Sequence, residues 1–155
     1  MSLRQDQRVK KMAELKAYDT VLDLSTYTIQ VCKPKDKKPN GHHIVKRYIH
    51  LGKEIETAVI EIGANVLEAN QIYVGANLNT DGRIQNYIRR IALEEKAKSL
   101  TFRVEHIIRI LHSEQPFSEN TLVYWIALLC EAREALSEWI ESERKRLSAL
   151  KKGDC

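Results

Sequence analysis

Glycine, proline and cysteine are scarce in this chain, at six, three and three of 155 residues. Cys32, Cys130 and Cys155 are odd in number and far apart, with neither the paired spacing of a zinc site nor the density of a disulfide scaffold, so free thiols are expected. No apolar run approaches the roughly 20 residues that cross a bilayer, and Met1-Ser2-Leu3-Arg4 lacks the apolar core of a secretory signal. The expected compartment is the cytoplasm. Glycine-rich phosphate loops are missing, since Gly82 is solitary and Gly75 reads as a helix stop. Ser25, Ser99 and Cys130 sit in helical pattern, without the strand-turn-helix context that exposes an activated nucleophile. His42 and His43 are adjacent, so on a helix they point apart, and no Cys, Asp or Glu lies at ligand spacing. Neither catalysis, nor a metal, nor a cofactor is expected.

What is abundant is Ala, Leu, Ile, Glu, Lys and Arg, residues that lose little rotamer freedom in a helix. An all-α single domain over 1–155 is expected, large enough to bury roughly 70% of its unfolded surface. The periodicity predicts helices over about 4–31, 43–74, 82–112 and 119–150. The first holds Val9, Met12, Leu15, Val21, Leu22 and Leu24 in a loose pattern. The second repeats apolar or small residues from Ile44 and Tyr48 through Val66, Ala69 and Tyr73 at steps of three and four. Its Gly52 and Gly63 each cost about 1 kcal/mol against Ala, which suggests a close neighbouring backbone. In the turn before the third helix, Asn79, Thr80 or Asp81 can cap the next amides. That helix is expected to turn Ile84, Tyr87, Ile88, Ile91, Leu100, Val104, Ile107, Ile108 and Leu111 inward. Pro116 then breaks the chain, Ser118 caps, Phe117 is placed to staple onto Leu122, and Trp125 and Trp139 share the inner seam of the last helix. Short links between such helices make an up-and-down antiparallel four-helix bundle.

Charge is unevenly spread. Residues 1–53 carry 12 Lys/Arg against 5 Asp/Glu, and residues 54–155 carry 13 against 16. Much of the excess lies in the Pro/Lys loop 33–42, where Lys33, Lys35, Lys37 and Lys38 precede Lys46 and Arg47. The start of the first helix is basic (Arg4, Arg8, Lys10, Lys11, Lys16), as is the tail from Arg144 to Lys152, whereas 114–143 sets Arg133 against seven Glu. On the third helix Arg89, Lys96 and Arg103 recur every seven residues, as do Arg83 and Arg90, each step spanning about 10 Å. Such a ladder, with the loop lysines, can neutralise successive phosphates and release counterions. An anionic partner, RNA or DNA first, is the expectation; a surface so divided can also pair with copies of itself.

The run Val45-Lys46-Arg47-Tyr48-Ile49-His50-Leu51-Gly52-Lys53-Glu54-Ile55 after the Pro-Lys loop, the stretch Leu67-Glu68-Ala69-Asn70, then Glu114-Gln115-Pro116-Phe117-Ser118 and Leu136-Ser137-Glu138-Trp139-Ile140 resemble a known family. It is the four-helix-bundle family of Avd, the accessory variability determinant of diversity-generating retroelements, and of the proteins encoded by intervening sequences in bacterial rRNA genes. The likeness covers about residues 18–150. It implies a non-catalytic homopentameric ring or barrel that binds nucleic acid and a reverse transcriptase in mutagenic cDNA synthesis and retrohoming. The positions matching the family's basic surface are Lys46, Arg47, Arg89, Arg90, Arg103 and Arg109. An acidic fourth helix and a net charge of +4 depart from the family's strongly basic surfaces, so any basic face must be local.

Overall fold

Four helices are formed by segments rich in strong helix formers: α1 (Leu3–Cys32), α2 (Ile49–Gln71), α3 (Thr80–Glu114) and α4 (Glu119–Lys151). The computed structural model describes residues 3–33, 48–114 and 117–153, and of residues 3–10 the backbone alone; no strand occurs among them. Each helix packs on two neighbours, α1 on α2 and α4, α3 on α2 and α4. Cross-helix contacts fix the directions. Ser25 Oγ donates to the Val59 carbonyl, Lys96 pairs with Glu61 and Arg103 with Glu54, and Trp125 Nε1 donates to Thr28 Oγ1 while Lys16 reaches Glu138. Numbers fall on one helix as they rise on its neighbour, so the chain is an antiparallel up-and-down bundle.

The core is filled from all four helices, by Leu24, Ile55, Ile62, Ile108, Leu129 and Leu136 among others, with Trp125 and Trp139 wholly buried on the α4 seam. Each such aliphatic side chain contributes about 1.5–3 kcal/mol by leaving water. A smaller cluster of Val74, Tyr87 and Leu150 closes the end of the bundle where α1 and α3 begin and α4 finishes. Met12, Leu15 and Leu22, read into the α1 pattern, are exposed, because Ala17, Val21, Leu24 and Thr28 occupy the inward stripe. Ile88 is likewise exposed beside buried Tyr87, since adjacent helical residues point about 100° apart.

The helix ends show why the expected boundaries shift. Asn79 is the residue that caps α3, its Oδ1 accepting from Gly82 N at 2.7 Å, so the helix starts at Thr80. Ser118 caps α4 through Thr121 N, while Phe117 packs edge-on to His112 and beside Trp125. Instead of running to Val74, α2 stops at Gln71. The next three carbonyls are taken by α3 side chains: Ile72 O by Arg90, Tyr73 O by Asn86 and Val74 O by Arg83. Tyr73, expected on the inner seam, therefore turns out to solvent. Gly63 does not mark a backbone approach. A Cβ there would meet Val21 Cγ1 at 3.9 Å, ordinary van der Waals contact. The expected start of the second helix at 43, together with His42, His43, Pro116 and Cys155, lies outside the described residues.

Candidate nucleic-acid interface

Of the loop cations, Lys35, Lys37, Lys38, Lys46 and Arg47 lie outside the described residues, and Lys33 stands exposed just past the last residue of α1. The α3 ladder is described in full, and it is not a row of free cations. Lys96 Nζ lies 3.4 Å from Glu61 and Arg103 Nη2 lies 2.7 Å from Glu54, stitching α3 to α2; Arg109 pairs with Glu105 one turn back at 3.5 Å. The groove between these helices, lined by Lys53, Glu54, Thr57, Ala58, Glu61 and Arg103, sets two bases against two acids. Arg83 is half-buried and spends its Nε on the Val74 carbonyl. Arg89 is exposed and makes no ion pair among the described residues. From Arg83 to Arg109 the helix rises about 39 Å, so the predicted residues do not gather on one patch.

Arg90 leaves the ladder altogether. It is 3% exposed, at the centre of a buried knot. Its Nε donates to both Glu143 oxygens at 3.1 and 3.0 Å, Nη2 donates to Glu143 Oε1 at 2.5 Å and to Glu14 Oε1 at 2.6 Å, and Nη1 donates to Ile72 O at 3.0 Å. Trp139 Nε1 also donates to Glu143, and the guanidinium carbon lies 5.8 Å from the indole centroid. Burial acts to lower the Arg90 pKa, but the hydrogen bonds and charges of Glu143 and then Glu14 outweigh it and hold it above the ordinary arginine value. An arginine so engaged contacts no external phosphate, contrary to the expected ladder position: a seven-residue spacing from Arg83 does not distinguish the inner from the outer line of a helix. Arg133, the lone base of the acidic α4 stretch, is also turned to internal use, donating to Thr101 and Glu105 and stacking 3.9 Å over the Phe102 ring.

The topology assembles a different concentration of charge. With the level of the Arg90 knot as the dividing plane, residues 3–16, 66–91 and 140–153 at one end of the bundle hold 13 Lys/Arg and 6 Asp/Glu. The remaining described residues hold 7 against 13. Lys11 on α1, Arg89 on α3 and Lys151 and Lys152 at the end of α4 are exposed there without an ion pair among the described residues. Arg144 pairs with Glu95, and Lys145 with Glu141 at 3.4 Å. Both basic stretches are visible in the sequence; antiparallel packing is what makes them neighbours.

No group of three or more His, Cys, Asp or Glu side chains able to hold a metal occurs among the described residues. Cys32 is buried, and desolvation, with the nearby Glu56 charge, pushes its thiol up to about 12. Comparison with protein-family models, with curated proteins and with solved structures finds no match. No helix among the described residues is long and apolar enough to cross a membrane.

Proposed function

We propose that this protein is a non-catalytic accessory bundle that binds RNA or cDNA through a local basic surface. By its resemblance to the Avd family, it would act with a reverse transcriptase, as a cytoplasmic homo-oligomer with a pentamer as the expected form. The observation that carries this reading is the segregation of charge. The net +4 is not spread thinly over the molecule: 13 of 25 Lys/Arg stand at one end and a further five in residues 35–47, while the rest of the described bundle is acidic. At physiological ionic strength the Debye length is about 8 Å, so an acidic body tens of ångströms long does not cancel the field at its ends. A polyanion is the partner that such local fields attract.

The neutralised α3 ladder favours a second reading, a bundle of the rRNA intervening-sequence type that interacts with other proteins and has no polymerase partner. Two experiments separate them. RNA affinity that falls steeply as salt rises supports phosphate contact, and affinity indifferent to salt removes it. A reverse-transcriptase gene with a template and variable repeat pair beside the coding sequence selects the retroelement role; an rRNA operon around it selects the other. Native mass measurement reads the oligomer, and a lone protomer would overturn the ring.

A further inference from the structure

Resting on the nucleic-acid reading, and locating it, we infer that the phosphate-contacting surface is the end of the bundle where α1 and α3 begin and α4 finishes. Its contacts are Lys11, Arg89, Lys151 and Lys152; of the α3 ladder only Arg89 takes part, and Lys96 and Arg103, paired with Glu61 and Glu54, do not. Three observations carry the assignment.

The first is availability. Those four side chains are exposed with no ion pair among the described residues, whereas Lys96, Arg103 and Arg109 each face a glutamate. A phosphate that displaced such an exposed pair would find the glutamate still beside it, so the seam attracts no anion.

The second is that helix stability does not account for the sign of the charge. Backbone amides give a helix start a partial positive charge, which favours acids there. α1 nevertheless opens with Arg4, Arg8, Lys10 and Lys11 against Asp6 alone. One base in the last turn suits the negative end of α4, and Lys151 fills that role. The tail carries five bases against two acids from 140 to 153, beyond what that end requires. Gathering like charges from both helices opposes folding unless something anionic is met there.

The third is construction. The described residues of this end are tied together, with Val74, Tyr87 and Leu150 packed against one another and Arg90 joining α1, the α2–α3 turn and α4 to α3. Cations on a fixed frame can match a backbone whose charges recur at fixed spacing.

If each of the four neutralises one phosphate, log affinity should fall against log salt with a slope of about −2.8 on single-stranded RNA and about −3.6 on a duplex. Raising salt from about 50 to about 200 mM then weakens binding about 50-fold and about 150-fold respectively. The test measures a short mixed-sequence RNA, single-stranded and as a duplex, against the full chain and two variants across that salt range. The variants are Lys11→Gln/Arg89→Gln/Lys151→Gln/Lys152→Gln and Lys96→Gln/Arg103→Gln, each checked for an unchanged far-UV circular dichroism spectrum and cooperative unfolding. The inference expects the first to lose at least about 30-fold at low salt with a slope nearer zero than about −1, and the second to move less than about twofold. The opposite pattern overturns it in favour of Lys96 and Arg103 on the α2–α3 seam. A wild-type protein without salt-dependent RNA binding brings down the nucleic-acid reading itself, a result distinct from failure of the location alone. The same variants are run on vesicles containing phosphatidylserine. Should the first lose vesicle binding while keeping RNA binding, the end belongs to a membrane surface and the inference is wrong.

Discussion

Replacing Arg90 with methionine should damage this protein more than any other single change to its charged residues. Glu143 is 0% exposed and would lose its three hydrogen bonds from Arg90 while keeping the one from Trp139 Nε1, and Ile72 O loses the donor that holds the α2 end in place. Glu14 is 22% exposed and can turn to water. Breaking a buried pair by removing one partner costs about 3–5 kcal/mol, most of it the stranded charge. For a chain of this size that corresponds to a fall in melting temperature of about 6–20 °C. Urea unfolding, followed by far-UV circular dichroism and by fluorescence of the two buried tryptophans, reads it directly. The decisive partner is Arg90→Met/Glu143→Leu, which removes both charges. It should recover the stranded-charge part of the loss, because an apolar replacement of a buried ion pair is often neutral or stabilising, and stay about 1–3 kcal/mol below wild type because Ile72 O and Trp139 Nε1 lose their partners. The coupling between the two sites should then exceed about 2 kcal/mol. A loss below about 1 kcal/mol for Arg90→Met, or a double variant as unstable as the two singles added, would refute the claim that Glu143 depends on this guanidinium. The raised Arg90 pKa makes its contribution complete below the ordinary arginine range and lost only above it, so near neutral pH this effect should not vary.

Gly63→Ala should stabilise the fold by about 0.5–1 kcal/mol, since α2 has room for the methyl against Val21, and a urea midpoint moving down would show that the helix needs glycine there. Ser118→Ala should cost about 1 kcal/mol by removing the acceptor for Thr121 N, with Ser118→Asp retaining most of it; equal losses in both would disprove the cap. Cys130 should react with iodoacetamide in the native protein at mildly alkaline pH while Cys32 is labelled only on unfolding, read by peptide mass spectrometry. The raised Cys32 pKa also sets a sign: its contribution to stability is complete below the ordinary thiol value of 9.0 and declines as pH rises toward about 12, where the unfolded chain ionises first.

The helical content, the order of the helices and the burial of Trp125 and Trp139 were legible because apolar side chains at steps of three and four leave a face no other element uses. Boundaries set by distant partners were not. The early stop of α2 follows from Arg83, Asn86 and Arg90, which lie on another helix and claim its carbonyls. The candidate interface divides the same way. A heptad of cations shows that side chains share a line, but not that Glu54 and Glu61 stand opposite Arg103 and Lys96. Conversely, the basic start of α1 and the basic tail were separate notes in the chain, joined only by the up-and-down topology.

The Arg90 knot makes one terminus of the bundle a single mechanical piece: a clasp on α3 grips the α2–α3 turn and the two segments, on α1 and α4, that carry mutually repelling bases. Neutralising those bases from outside relieves the load on the clasp. An anion captured there would thus be reported throughout the molecule as added resistance to heat, by about 2.7 kcal/mol when its concentration is a hundredfold above its dissociation constant.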